Sequence, residues 1–279
     1  WGIAVTEGQR YNFQFYLFTE ELKNTVVTAA LLDCEEQIVV SKNFQIERDG
    51  SWNHYEGAFT VDTTANDLRF ALLLPHKGKV YIDFVSMFPE NTFCGHKNGL
   101  REDVAGMLRD LRPDFVRWPG GCIVEGLTMD NRIKWKETIG DIVKRPGEYN
   151  LWGYRSTYGF GYHEFLQFCE DIDADGLFVC NAGMSCLFRN GDYWEEENRI
   201  DNLIQDALDA VEYALGDTTT VYGKRRAENG HAAPFPLKYV EVGNENVGLR
   251  YVKNYNRFYK AIKEKYPEMI VVGTVGPFN

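Results

Sequence analysis

Three stretches of this sequence combine residue types that do chemistry. The first is Arg117-Trp118-Pro119-Gly120-Gly121-Cys122. A guanidinium offers a rigid fork of donors that orients a carboxylate and bonds sugar hydroxyls. The glycines after it permit positive φ and a close backbone approach to a ligand. The second is Val240-Glu241-Val242-Gly243-Asn244-Glu245-Asn246, an apolar run that ends in Gly-Asn-Glu. An Asn–Glu pair at a strand end suits retaining glycoside hydrolysis. There a carboxylic acid protonates the leaving oxygen and a neighbouring amide bonds the sugar 2-hydroxyl in the transition state. Glu241, earlier on the same run, is expected to lie deeper, as an inward-facing structural carboxylate paired with a base. The third is the Gly-rich loop Leu151-Trp152-Gly153-Tyr154-Arg155-Ser156-Thr157-Tyr158-Gly159-Phe160-Gly161-Tyr162. It holds more rings than one loop can bury, and amphipathic rings suit the C–H faces of a sugar. Taken singly, each stretch also has a plain reading: a tight turn with an ion pair, a solvated turn, or a loop packed on itself.

The elements that must position these residues follow from periodicity. Residues 1–88 read as short strands: Tyr11, Phe13, Phe15 and Leu17 alternate with polar partners, and β-rich runs recur at 26–32, 37–40, 55–61, 68–74 and 80–85. Punctuation such as Arg48-Asp49-Gly50 and His76-Lys77-Gly78 separates them, which predicts an antiparallel β-sandwich. From residue 89 the period becomes helical. Leu100, Val104, Met107, Leu108 and Leu111 form one stripe, ended by Arg112-Pro113. Strand 115–118 follows, and helix-then-strand units recur at 162–172 and 176–181, 200–215 and 238–243, and 252–266 and 269–274. Continuously apolar strands behind helices predict a parallel sheet covered by helices. An open doubly wound sheet and a (β/α)₈ TIM barrel both have this pattern. No GxGxxG or GxxxxGK[ST] supports a nucleotide-binding sheet, and polar residues gather after three strands, where a barrel places its chemistry. The expected architecture is an antiparallel β-sandwich (1–88) followed by part of a TIM barrel (89–279). A complete barrel takes about 250 residues, so four strands amount to about half, and a fragment lacking the C-terminal half of the barrel is expected.

Composition excludes several other classes. Lys and Arg number 30 against 41 Asp and Glu, a formal charge of −11. Nucleic acid and anionic membrane surfaces both call for a basic face, so neither is an expected partner. No run approaches the roughly 18 apolar residues of a membrane span. The chain opens on Trp1-Gly2-Ile3-Ala4-Val5 as if within a strand, and a processing boundary is expected there. The six cysteines have no CxxC and the five histidines no HExxH, so mostly buried free thiols and no metal are expected.

Taken together, these stretches resemble family 51 glycoside hydrolases, the α-L-arabinofuranosidases. The resemblance is carried by Phe115-Val-Arg-Trp-Pro-Gly-Gly-Cys122 with Val124-Glu-Gly126, Trp135-Lys-Glu-Thr-Ile-Gly140, Leu151-Trp-Gly-Tyr154, Gly159-Phe-Gly-Tyr162 with Glu164-Phe165, and Lys238-Tyr-Val-Glu-Val-Gly-Asn-Glu245. The N-terminal part is similar to a carbohydrate-binding-like sandwich of one branch of that family. The resemblance implies that Glu245 is the general acid/base at the end of the fourth barrel strand and that Asn244 bonds the arabinose 2-hydroxyl. It implies that Arg117 lies beneath the nucleophile and that Trp152 lines the arabinose pocket. Cys122 occupies a position where other members carry a substrate-bonding Asn, and Asn181 at a strand end is a further substrate-binding candidate. The nucleophilic Glu is expected on the seventh strand, beyond Asn279, and the first barrel strand before Trp1. Glu125 is expected in the loop after the Pro-Gly-Gly turn. The implied function is retaining hydrolysis that releases terminal arabinofuranose from arabinan- or arabinoxylan-type polysaccharides or oligosaccharides, with no cofactor and no metal. The fragment alone is expected to be inactive. A non-catalytic carbohydrate-binding protein and another retaining glycosidase of the same barrel clan are the alternatives. The sequence does not specify oligomeric state or compartment; the substrate class favours an extracellular or periplasmic one.

Overall fold

The computed structural model of the chain describes residues 2–20, 22, 25–46 and 50–275. Trp1, the Arg48-Asp49 part of the expected turn and the terminal Gly276-Pro277-Phe278-Asn279 lie outside them. The chain divides into two compact units, residues 1–107 and 108–279.

The first unit is built from β1 (Ile3–Val5), β2 (Arg10–Glu20), β3 (Val26–Leu32), β4 (Ile38–Gln45), β5 (Trp52–Thr60), β6 (Ala65–Leu73) and β7 (Lys79–Pro89). All pairings are antiparallel, in two sheets ordered β1-β6-β3-β4 and β5-β2-β7. The period-2 pattern of β2 explains the arrangement. Tyr11, Phe13, Phe15 and Leu17 are buried while the residues between them are exposed or half-buried. These side chains meet Val27, Ala29 and Leu31 of the other sheet in one core. Two antiparallel sheets over a shared core fit a sandwich.

Helix α1 (Glu102–Asp110) carries the predicted stripe, but Val104, Met107, Leu108 and Leu111 are exposed and only Ala105 is buried. The second unit continues with β8 (Phe115–Trp118), α2 (Gly121–Glu125), a two-strand hairpin of β9 (Glu148–Tyr149) and β10 (Arg155–Ser156), then α3 (Tyr162–Asp171) and β11 (Asp175–Cys180). It ends with α4 (Glu197–Leu215), α5 (Val221–Glu228), β12 (Leu237–Val242), α6 (Gly248–Lys265) and β13 (Ile270–Gly273). Periodicity located the longer elements to within a few residues. It missed α2 and α5, which are short, and the hairpin, whose strands have two residues each.

Strands β13-β12-β11-β8 form a parallel sheet in that order. Its two faces differ. Phe178, Cys180, Val240 and Val242 share one core with Phe165 and Leu166 of α3, Leu203 and Ala207 of α4, and Phe258 and Ile262 of α6. On the other face Leu177 and Val179 pack with Val124 of α2, Ile133 and Tyr239. The long helices therefore gather on one face. The other carries polar side chains beside that small cluster: Leu177 is in register with Arg117, and Val179 with Glu241. Of the cysteines, three are buried, Cys122 is half-buried, and Cys34 and Cys94 are exposed, so burial of the thiols is less general than expected. Among the described residues no helix is long and apolar enough to cross a membrane.

Candidate active site

The ends of β8 and β12 bring the first two sequence stretches together. Arg117 and Glu241 share a sheet face but sit on strands separated by β11, and the arginine reaches across it. Its Nε donates to Glu241 Oε2 and its Nη2 to Oε1, both at 2.6 Å. This bidentate pair holds Glu241 below the strand ends, as expected of it, and the carboxylate raises the arginine's pKa further. The backbone turns at once after Arg117. Gly120 has φ +64°, and a Cβ there would come within 2.6 Å of Arg117 Nη1, so any side chain at 120 would displace the guanidinium.

Arg117 Nη2 also donates to Asn244 Oδ1 at 3.1 Å. The turn that presents Asn244 and Glu245 depends on Gly243, at φ +82°, where a Cβ would lie 2.3 Å from Asn246 Oδ1. Asn246 Oδ1 accepts from the Asn244 main-chain N–H at 3.2 Å and so closes the turn. Glu245 itself has φ +49°, an uncommon conformation for a side chain of this size. It is half-buried, while Asn244 and Asn246 on either side are buried.

The short helix α2 supplies the remaining side chains. Cys122 and Glu125, three residues apart, lie on one side of it. Cys122 Sγ lies 3.8 Å from Glu245 Oε2. Glu125 does not belong to a solvated loop: it ends α2, is 1% exposed, and accepts from Asn244 Nδ2 at 3.2 Å and from Asn246 Nδ2 at 2.8 Å. Burial pushes its carboxyl up to about 7, and hydrogen bonds from the two amides oppose the shift. Burial likewise pushes the Cys122 thiol up to about 12, helped by its hydrogen bond with Cys186, so Cys122 is a neutral S–H donor. Donor atoms of Cys122, Glu125 and Cys186 lie within 4.8 Å of one another, the one such group among the described residues. Both Glu125 oxygens are already taken by amides, so the cluster is organised by hydrogen bonds.

Asn181 follows β11 and is bonded to backbone groups. Its Nδ2 donates to the carbonyls of Val124 (2.9 Å) and Met184 (3.0 Å), and its Oδ1 accepts from the N–H groups of Gly183 (2.6 Å) and Met184 (3.2 Å). All four of its hydrogen-bonding positions are used on backbone. With the Cys186 N–H bonded to the Gly126 carbonyl at 3.1 Å, Asn181 anchors α2, and with it Cys122 and Glu125.

The aromatic loop divides. Tyr158 and Tyr162 are core, whereas Trp152, Tyr154 and Phe160 are exposed. Trp152 sits in the turn of the β9–β10 hairpin, where its main-chain N–H donates to Asn150 Oδ1 at 3.0 Å. Arg145, whose side chain is buried, anchors the following stretch through the Tyr158 carbonyl (2.8 Å) and Glu164 (2.7 Å). The structure thus joins Arg117, Cys122, Asn244 and Glu245 through hydrogen bonds, and it does not join Trp152 or Asn181 to that network. Sequence reading missed Glu125, Asn246 and Cys186. The i, i+3 spacing from Cys122 pointed to Glu125, and the Asn-Glu-Asn run to Asn246. Nothing local marks Cys186, which tertiary folding alone brings in.

Comparisons with known proteins agree on one family. A family model described as the alpha-L-arabinofuranosidase 1 domain matches residues 107–277. An extracellular exo-alpha-L-arabinofuranosidase of Streptomyces chartreusis is 35% identical over 288 residues, covering 99% of this chain and 34% of that protein. Alpha-L-arabinofuranosidase 2 of Arabidopsis thaliana is 35% identical over 279 residues, covering 98% of this chain and 40% of that protein. A solved structure of an arabinose-bound family 51 α-L-arabinofuranosidase superposes with a TM-score of 0.91 at 29% identity, covering 100% of this chain and 46% of that one. The chain spans 34% and 40% of the length of the two curated relatives.

Proposed function

Because the chain belongs to the family 51 α-L-arabinofuranosidases, we propose that it carries the acid/base half of a retaining arabinofuranosidase site and that Glu245 is the acid/base. The observation that carries this reading is the hydrogen-bonded series Glu241–Arg117–Asn244 at the ends of β8 and β12, with Glu245 next in the chain. It puts one half-exposed carboxyl among donors whose own partners are fixed.

Glu245 protonates the glycosidic oxygen as a carboxylate from outside these 279 residues attacks the anomeric carbon. It then takes a proton from the water that hydrolyses the glycosyl-enzyme. Asn244 has one Nδ2 hydrogen left after bonding Glu125, and this bonds the sugar 2-hydroxyl. Arg117 keeps Asn244 oriented and supplies positive charge beneath the reacting centre. Cys122 offers a weak S–H donor near Glu245. The substrate is a terminal arabinofuranose of an arabinan- or arabinoxylan-type polymer or oligosaccharide, and the reaction uses no metal or cofactor.

The architecture proposed for the whole is a TIM barrel preceded by a carbohydrate-binding-like sandwich, with residues 1–88 in the sandwich and 89–279 in the barrel domain. Three features support the barrel over a doubly wound sheet. The long helices gather on one sheet face, the residues at the strand ends are polar, and among the described residues β8 and β13 are the edges of the sheet, with exposed Phe115 and Ile270. A barrel continued by further strands covers such edges.

The test is hydrolysis by the full-length protein of an aryl α-L-arabinofuranoside beside aryl xyloside, glucoside and galactoside. The arabinofuranoside is expected to be strongly preferred. Preference for another sugar would replace the reading with another member of the barrel clan, and binding without turnover would replace it with a carbohydrate-binding protein.

Trp152 gives a second check. The residue is 49% exposed, so Trp152→Ala is expected to cost less than about 1 kcal/mol of stability, as a surface change does. A lost stacking contact is expected to weaken arabinose binding by about tenfold. Thermal melting and an arabinose inhibition constant on the same variant decide it. A loss of about 3–5 kcal/mol with unchanged affinity would make the ring a core residue.

A further inference from the structure

The polar groups beside Glu245 form a chain with one direction. Arg117 has only donors. Its bond to Asn244 Oδ1 obliges the Asn244 nitrogen to face the other way, where Nδ2 donates to Glu125 Oε2 at 3.2 Å. Asn246 is oriented in the same manner. Its Oδ1 accepts from the Asn244 main-chain N–H, so its Nδ2 faces Glu125 Oε1, at 2.8 Å. Reversing Asn244 would set an NH₂ against the guanidinium, and reversing Asn246 would set one against a backbone N–H. Both amides end on one buried carboxylate, whose two oxygens both accept. The residues it holds are the immediate neighbours of Glu245 on either side.

We infer that Glu125 is a positioning residue, which locks the Asn244 and Asn246 amides in one sense and so aims the remaining Asn244 Nδ2 hydrogen at the sugar 2-hydroxyl. This rests on the roles proposed above for Asn244 and Glu245. A carboxylate kept only to fill the space behind α2 would need no particular number of acceptors. A positioning carboxylate needs two, because each amide nitrogen must find an oxygen.

That difference is what Glu125→Gln measures. The variant keeps the volume of the side chain but sets an NH₂ against one of the two asparagine NH₂ groups, so one of the two holding hydrogen bonds is lost. The assay uses the full-length enzyme with an activated aryl α-L-arabinofuranoside and its 2-deoxy analogue. On the parent substrate kcat is expected to fall about a hundredfold, as when one preorganised transition-state donor is lost. KM should stay within about twofold, because that contact is made in the transition state. The 2-deoxy substrate has no hydroxyl to lose, so its rate should change little, and discrimination between the two substrates should fall by nearly the whole hundredfold factor. Glu125→Asp keeps two acceptors and should retain most of that discrimination; it also serves if the Gln variant does not fold. Equal losses on both substrates, or no loss on either, would overturn the inference, as would an Asp variant that folds and has lost the discrimination. A wild-type enzyme inactive on arabinofuranosides defeats the functional reading instead, and is recognised before any variant is made.

Discussion

Replacing Glu245 by glutamine in the full-length protein is expected to slow hydrolysis of natural arabinans by about 10²- to 10⁴-fold, the usual contribution of a positioned general acid. The size of the loss should depend on the leaving group. A sugar hydroxyl leaves only when protonated, whereas a nitrophenolate leaves nearly unaided, so the first step on activated aryl arabinofuranosides should be spared. The substitution is close to isosteric, and the turn that presents residue 245 is held by Gly243, Asn244 and Asn246, so the fold should be unaffected. A Glu245→Gln enzyme with near-wild-type activity on arabinan would remove the acid/base assignment.

The second large effect concerns the 279-residue chain by itself, which is expected to show no turnover of an activated aryl arabinofuranoside. Retaining hydrolysis needs two carboxyl groups about 5–5.5 Å apart, one of them free to attack carbon. Among the described residues the carboxylates linked to this network, apart from Glu245, are Glu241 and Glu125. The first has both oxygens on Arg117, and the second has one on each of two asparagines. Either would have to break two hydrogen bonds in a buried site to act as nucleophile. Activity should appear only when the rest of the protein is present, covalently or as a co-expressed piece. Sustained turnover by the isolated chain, abolished by Glu245→Ala, would show that one of these carboxylates is the nucleophile.

What the sequence disclosed follows from how local each signal is. The alternation Tyr11, Phe13, Phe15 and Leu17 comes from burial on one face, so period alone reveals it. Arg117 and Glu245 could be singled out because each lies at or just past the end of a strand. The α1 stripe had the same period as a buried helix, yet it is exposed, since periodicity says that a face is apolar and not what covers it. Asn181 is a substrate-binding candidate from sequence because it follows a strand, as Asn244 does. The distinction lies in partners: Asn181 is saturated by four backbone groups, while Asn244 keeps a hydrogen. Glu125 and Cys186 were obscured for a related reason. Their meaning depends on contacts between residues 60 or more positions apart, which no window along the chain contains.

The measurement closest to the central claim is the anomeric configuration of the azide adduct formed by full-length Glu245→Ala on an activated aryl α-L-arabinofuranoside. If Glu245 is the acid/base, the nucleophile still forms the glycosyl-enzyme, and azide, which needs no general base, displaces it from the opposite face. Two inversions give the α-azide, with rescue of the overall rate. The β-azide would mean that azide had attacked the substrate directly in the space left by residue 245, and that Glu245 is the nucleophile.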